Sequence, residues 1–103
     1  MDKAATQFSQ QCYELLLKIP QGKVTTYQEM AKAMQTKAWR AIGNAMAKNP
    51  NLVSVPCHRV VRSNGEIGGY ALGADRKAEL LTAEGVAVSN YRVNNLEEVM
   101  HRF

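Results

Sequence analysis

The sequence predicts a mainly α-helical domain with a small β-wing, arranged as a winged-helix-like helix-turn-helix. Three observations point there. Apolar residues recur at helical spacing in four segments, two of those segments are short and separated by a few polar residues, and an Asn64-Gly65 pair lies between β-prone runs. A chain of 103 residues has room for one modest core, so residues 1–103 are read as a single domain.

The first helix is expected over residues 6–19, where Phe8, Cys12, Leu15, Leu16 and Ile19 form one stripe before Pro20-Gln21-Gly22 breaks it. Cys12 on that stripe reads as a small buried hydrophobe. The second begins at Thr26-Tyr27-Gln28-Glu29, which has the form of a capping box, with Met30, Ala31, Ala33 and Met34 as its inner face. After the polar turn Gln35-Thr36-Lys37, a third helix is expected over residues 38–48. Its inner stripe is Ala38, Ala41, Ile42 and Ala45, and its outer face carries Arg40, Gly43, Asn44 and Ala47. A helix-turn-helix and a plain helical hairpin both fit this pair, but small residues around one arginine would let the outer face approach another backbone closely. Residues 52–55 read as extended, residues 60–67 as a wing around Ser63-Asn64-Gly65-Glu66, and residues 68–73 as a glycine-rich loop without phosphate-binding spacing. A last clear helix is expected over residues 75–84, opened by an acidic residue and closed by Gly85. From Val86 onward the pattern supports no more than one further strand and a turn of helix.

A net charge of +4 suits a polyanionic partner, although many small proteins are mildly basic. Apolar runs such as Leu15-Leu16-Leu17 are too short to span a bilayer, and no leader is expected at Met1-Asp2-Lys3, which predicts a protein of the cytoplasm, or wherever the cell keeps its DNA. Cys12, Cys57, His58 and His101 have no paired-ligand spacing, so no metal site is expected. Cys57 stands out by its neighbour. A thiol reacts as the thiolate, an ordinary pKa of about 8.5 leaves little of it at neutral pH, and activation needs a base held by a third group. His58 is a candidate base, yet adjacent side chains on a strand point to opposite faces, so direct contact requires a turn or a bridging water.

Pro56-Cys57-His58-Arg59-Val60 resembles the active-site signature of the O6-alkylguanine-DNA alkyltransferases. Further matches follow in family order. They are Gly22-Lys23-Val24-Thr25-Thr26-Tyr27 (one residue longer than usual), Arg40-Ala41-Ile42-Gly43-Asn44-Ala45-Met46, Asn49-Pro50, the loop from Gly65 to Tyr70, and Lys77 through Leu80-Leu81 to Glu84-Gly85. The resemblance implies transfer of an alkyl group from guanine O6 in double-stranded DNA onto Cys57, once per molecule, by a monomer without a cofactor. It assigns His58 as the water-bridged base, Glu84 as the carboxylate holding it, Tyr70 as the phenol donating to O6, and Asn49 as a brace between recognition helix and nucleophile. Tyr27 would turn the target phosphate during base flipping, and Arg40 would fill the vacated space. Gly43 and Asn44 would face the minor groove, backbone groups at Cys57 and Val60 would read the guanine edge, and Lys77 would support the loop after Tyr70.

Most members carry an additional N-terminal domain, so this chain is expected to be the catalytic domain alone. The bulky Ala71-Leu72-Gly73 stretch is expected to restrict large O6 adducts. The rival expectation is an alkyltransferase-like protein that binds and flips alkylated guanine without repairing it and signals to nucleotide-excision repair. Those proteins typically carry tryptophan where this chain has Cys57. A helix-turn-helix transcription regulator would leave Cys57, His58 and Glu84 without a role.

Overall fold

The computed structural model describes residues 3–103, with side chains from residue 7 onward. In chain order these form α1 (Lys3–Leu16), β1 (Thr25–Thr26), α2 (Tyr27–Ala33), α3 (Trp39–Ala47), a 3₁₀ turn (Cys57–Arg59), β2 (Val60–Val61), α4 (Ala74–Ala83), β3 (Val88–Ser89), β4 (Arg92–Val93) and α5 (Leu96–Val99). The domain is mainly helical, as the sequence predicts.

Helix α1 stops three residues short of the expected end. Lys18 N–H and Ile19 N–H close back on the carbonyls of Leu15 and Leu16 at 3.0 and 3.1 Å, tightening the last turn ahead of Pro20. Ile19 is still buried, along with Cys12 and Leu16. Thr26 caps α2 as expected, its hydroxyl accepting from Glu29 N–H at 3.0 Å. The reciprocal half of the capping box is replaced, because the Glu29 carboxylate faces Lys32 and Arg102 at 3.6 and 3.9 Å. The inner faces also differ in detail. Met30, Ala31, Ile42, Ala45 and Met46 are buried, whereas Ala33 and Ala38 are exposed at helix ends that run past the packed surface.

Residues 52–55 are a tight turn instead of an extended segment. Leu52 and Val55 bridge to each other across it, and Val53 takes a φ of 72°. Asn49 determines this turn: its Nδ2 donates to the Val55 carbonyl at 2.7 Å while its Oδ1 accepts from Asn51 N–H at 3.0 Å. The wing is also assembled differently. The turn at residues 63–65 forms, with Gly65 N–H on the Arg62 carbonyl at 2.9 Å and Arg62 N–H on the Glu66 carbonyl at 2.8 Å, but the segments beyond it pair elsewhere. β2 lies parallel to β1, Thr25 opposite Val60 and Thr26 opposite Val61. Glu66 bridges to Arg92, beside the hairpin of β3 and β4. Asn90 and Tyr91 at that hairpin's tip both have positive φ, 52° and 60°, the two-residue geometry whose twist matches paired strands.

Two apolar clusters meet at β2. Val60 packs with α1, α2 and α3, while the adjacent Val61 packs with Val24, Ile67, Leu81, Val86 and Val93, because successive strand side chains point to opposite faces. The other edge of the β1 segment is covered by the C-terminal tail. Val24 N–H donates to the Val99 carbonyl (2.9 Å), His101 N–H to the Val24 carbonyl (2.6 Å), and the Thr25 hydroxyl to the His101 carbonyl (2.9 Å).

Candidate active site

Pairing of β1 with β2 sets the geometry. Tyr27 follows β1 directly and the Cys57–Arg59 turn precedes β2 directly, so two residues far apart in sequence arrive side by side. Cys57 is 5% exposed and opens onto a cavity of about 320 Å³. The cavity is lined by Gly43, Met46 and Ala47 of α3, by Gly69, Tyr70 and Ala71 of the glycine-rich loop, and by Tyr27. Only Ala71 of the three-residue stretch expected to narrow the pocket lines it. Leu72 is 55% exposed, directed to solvent, so its bulk does not close the cavity.

The 3₁₀ turn, unlike a strand, sends His58 inward without requiring it to oppose Cys57. His58 is fully buried and its Nε2 lies 3.0 Å from Glu84 Oε2. An ionised carboxylate only accepts, so Nε2 carries the proton and Nδ1 keeps the lone pair that makes neutral imidazole a base. Burial lowers the His58 pKa below its ordinary value and outweighs the opposing pull of Glu84. Burial pushes Glu84 upward, but hydrogen bonds from Arg59 and His58 prevail and hold its carboxyl below the ordinary value. The pair is therefore neutral histidine on ionised glutamate. Among the described residues, His58 Nδ1 and the Tyr70 hydroxyl are the buried side-chain polar atoms without a protein hydrogen-bond partner. Their rings lie 6.3 Å apart, centre to centre. Burial raises the Tyr70 pKa, which keeps the phenol protonated and able to donate.

Arg59 was not singled out in the sequence. Its Nε and Nη2 grip both Glu84 oxygens, at 2.9 and 2.7 Å, and its Nη1 donates to the Ile19 carbonyl at 2.8 Å. Such a two-pronged hold fixes the carboxylate in plane and position. No periodicity or spacing announces this role, since it depends on where the C-terminal end of α4 meets the end of α1.

Lys77 is 1% exposed and reaches inward, its ammonium donating to the Val60 carbonyl at 2.7 Å and the Gly69 carbonyl at 3.2 Å. It ties β2 to the loop carrying Tyr70, and burial lowers its pKa to about 8. Val60 is placed away from the cavity, with its side chain in the core and its carbonyl on Lys77. Asn49 braces the turn leading to Pro56 and Cys57. Cys12, fully buried, has its pKa raised to about 11 by that burial and makes a thiol contact to Met34 Sδ at 3.8 Å.

On the outer face of α3, Arg40 and Asn44 are exposed, and a Cβ placed on Gly43 would meet no heavy atom within 4 Å. Glycine there is not demanded by the protein's own packing. Trp39, 53% exposed at the first position of α3, was passed over when this face was read as small residues around an arginine. The signal was available: it is the sole tryptophan of the chain, placed in a helix's outer first turn.

The sequence profile described as "6-O-methylguanine DNA methyltransferase, DNA binding domain" matches residues 7–86. A methylated-DNA–protein-cysteine methyltransferase of Saccharolobus islandicus is 47% identical over 76 residues, covering 74% of this chain and 49% of that protein. The bifunctional transcriptional activator/DNA repair enzyme Ada of Escherichia coli is 44% identical over 85 residues, 82% of this chain but 24% of its own length. The chain thus spans half or less of these curated relatives. Among solved structures, Mycobacterium tuberculosis OGT in complex with DNA superposes with a TM-score of 0.73 at 40% identity, over 76% of this chain and 48% of that one. S. pombe Atl1, in complex with damaged DNA containing O6-carboxymethylguanine, superposes with a TM-score of 0.81 at 31% identity, over 95% of this chain and 97% of that one. With its sequence profile, its relatives and its fold in agreement, the chain belongs to the 6-O-methylguanine DNA methyltransferase family.

Proposed function

We propose that this chain repairs DNA by moving an alkyl group from O6 of a flipped guanine onto Cys57. The reading rests above all on one observation: Cys57 opens onto a cavity beside a buried histidine whose free nitrogen is a base and whose other nitrogen is held by an ionised glutamate. The Cys57 thiol proton passes to His58 Nδ1, in the family's arrangement by way of one water. The sulfur then attacks the alkyl carbon in line, the S–C bond forms, the C–O6 bond breaks, and its electron pair returns to the guanine. Tyr70 donates to O6 as the base leaves, which spares the expulsion of a free guanine anion. Glu84 stabilises the imidazolium formed, and Arg59 holds Glu84. The thioether product is stable, so each molecule turns over once and needs no cofactor.

In this reading the partner is double-stranded DNA bearing O6-alkylguanine, engaged by a monomer in the compartment that holds the DNA. Tyr27, which lines the cavity, turns the target phosphate; Arg40 fills the gap left in the duplex; Gly43 and Asn44 let α3 lie close against the minor groove. The open space in front of Gly43 supports that role. Lys77 and Asn49 act as internal braces for the segments that line the cavity. A second reading, lesion binding without transfer, draws on the likeness to Atl1 along nearly its whole length.

Incubating the protein with an O6-methylguanine duplex and mapping the Cys57 peptide by mass spectrometry decides between them. Stoichiometric methylation of Cys57, lost in His58→Ala, supports transfer. Tight lesion binding with an unmodified Cys57 overturns it in favour of the second reading.

A further inference from the structure

We propose that Trp39 is a stacking platform for the nucleotide next to the flipped guanine on the damaged strand, seated in a second concavity that adjoins the Cys57 cavity. This inference rests on the proposed function and extends it to the flank of the lesion. The second concavity, about 350 Å³, is lined by Tyr27, Gln28, Trp39, Arg62 and Ser63. Tyr27 also lines the Cys57 cavity, so the two hollows share one phenol.

Continuity of the strand names the occupant. A strand that delivers a guanine past Tyr27 to Cys57 carries its covalently joined neighbour to the adjoining hollow that Tyr27 also lines. The chemistry of the hollow agrees. Its lining holds one cation and no carboxylate, which suits a polyanion. Among the described residues, the Arg62 guanidinium is tied by an exposed ion pair to Glu66 at 3.3 Å, a contact that costs little to exchange for a phosphate. The Ser63 hydroxyl donates to Gln28 Oε1 at 3.1 Å, fixing the polar side of the hollow and leaving the indole as its main apolar surface. Trp39 belongs to neither apolar cluster of the fold. An indole half exposed in the first turn of α3, directly before Arg40, contributes little to the core and presents a flat π-face to whatever lies there. Stacking of a base on an aromatic face is tolerant of sequence, so Trp39 would strengthen lesion binding whatever base flanks it.

Trp39 is the chain's sole tryptophan, and its emission therefore reports on this hollow directly. In a Cys57→Ser background, which retains the lesion duplex without reacting, labelled-DNA anisotropy and Trp39 emission are followed together. Emission is expected to be quenched more by an O6-methylguanine duplex than by an undamaged one. Trp39→Ala should weaken lesion binding by about fivefold or more, the loss expected for removing one base–aromatic stack, and Trp39→Phe should recover part of it. With an abasic residue beside the lesion on the same strand, Trp39→Ala and its parent should bind alike. Lesion binding by anisotropy with unchanged Trp39 emission and an equally tight Trp39→Ala overturns this inference and leaves alkyl transfer standing. A change in emission with protein concentration alone would assign the hollow to a second copy of the chain and overturn it too. Absence of lesion-dependent binding would overturn the repair reading along with it.

Discussion

Replacing Lys77 with methionine tests the bracing role of the buried ammonium. The folded state lowers its pKa from 10.5 to about 8, chiefly by burial. At about 1.4 kcal/mol per tenfold change in proton affinity, keeping this cation inside costs the fold about 3 kcal/mol below pH 8. The sign follows from proton binding. Between pH 8 and 10.5 the unfolded chain binds more protons than the folded one, so stability rises with pH across that window and levels off above it. Cys12 works in the opposite sense: its pKa rises from 9.0 to about 11, so the unfolded chain loses the proton first and stability falls as pH climbs through that range. The wild-type profile therefore mixes opposing slopes, with tyrosines whose pKa values are also raised adding to the fall, and the difference between wild type and Lys77→Met isolates the lysine. Below pH 8 that difference is small, because the variant sheds the buried charge but leaves the Val60 and Gly69 carbonyls without their donor. Urea denaturation as a function of pH should show wild type gaining about 3 kcal/mol on the variant between pH 8 and 10.5. Parallel profiles for the two proteins would refute the account of Lys77 as a charged brace.

Arg59→Gln removes the two-pronged hold on Glu84 and a positive charge that helps keep His58 neutral. The acid limb of the proposed alkyl transfer, followed as rate against pH, should move to higher pH, with the plateau falling about tenfold to a hundredfold from lost orientation; an unmoved limb would reduce Arg59 to a structural tie. Val53 carries a β-branched side chain at φ 72° while largely exposed, a conformation that asparagine accepts far more readily. Val53→Asn should raise stability by about 1 kcal/mol, seen as a higher urea midpoint at unchanged slope.

The four longer helices were legible because each spans about two turns or more and repeats its apolar signal. The Thr26 cap and Gly85 stop placed two boundaries within a residue, and Gly85 takes the positive φ, 94°, that its place after a helix calls for. The strands were not legible, since two residues cannot display a period of two. Val60 and Val61 read equally well as one arm of a local hairpin, and only the burial of both, on opposite faces, makes the pairing with Thr25 and Thr26 preferable. Asn64-Gly65 correctly marked a turn but could not say what its arms would pair with. At the site, the residues themselves mark Cys57 and His58 as a candidate thiol and base, the resemblance to a family pattern adds Tyr70 and Glu84, and the chain brings the four together. Arg59 escaped because its three bonds join segments that no local pattern links.

The tail that lies along Val24 and Thr25 ties the far end of the chain to its working centre. It supplies the backbone partners that β1 would otherwise seek from water or from a neighbouring molecule, and β1 is the anchor from which Tyr27 and α2 depart. Loss of His101 would thus loosen Thr25, 76 positions away, and with it the Tyr27 that follows β1 and lines the cavity.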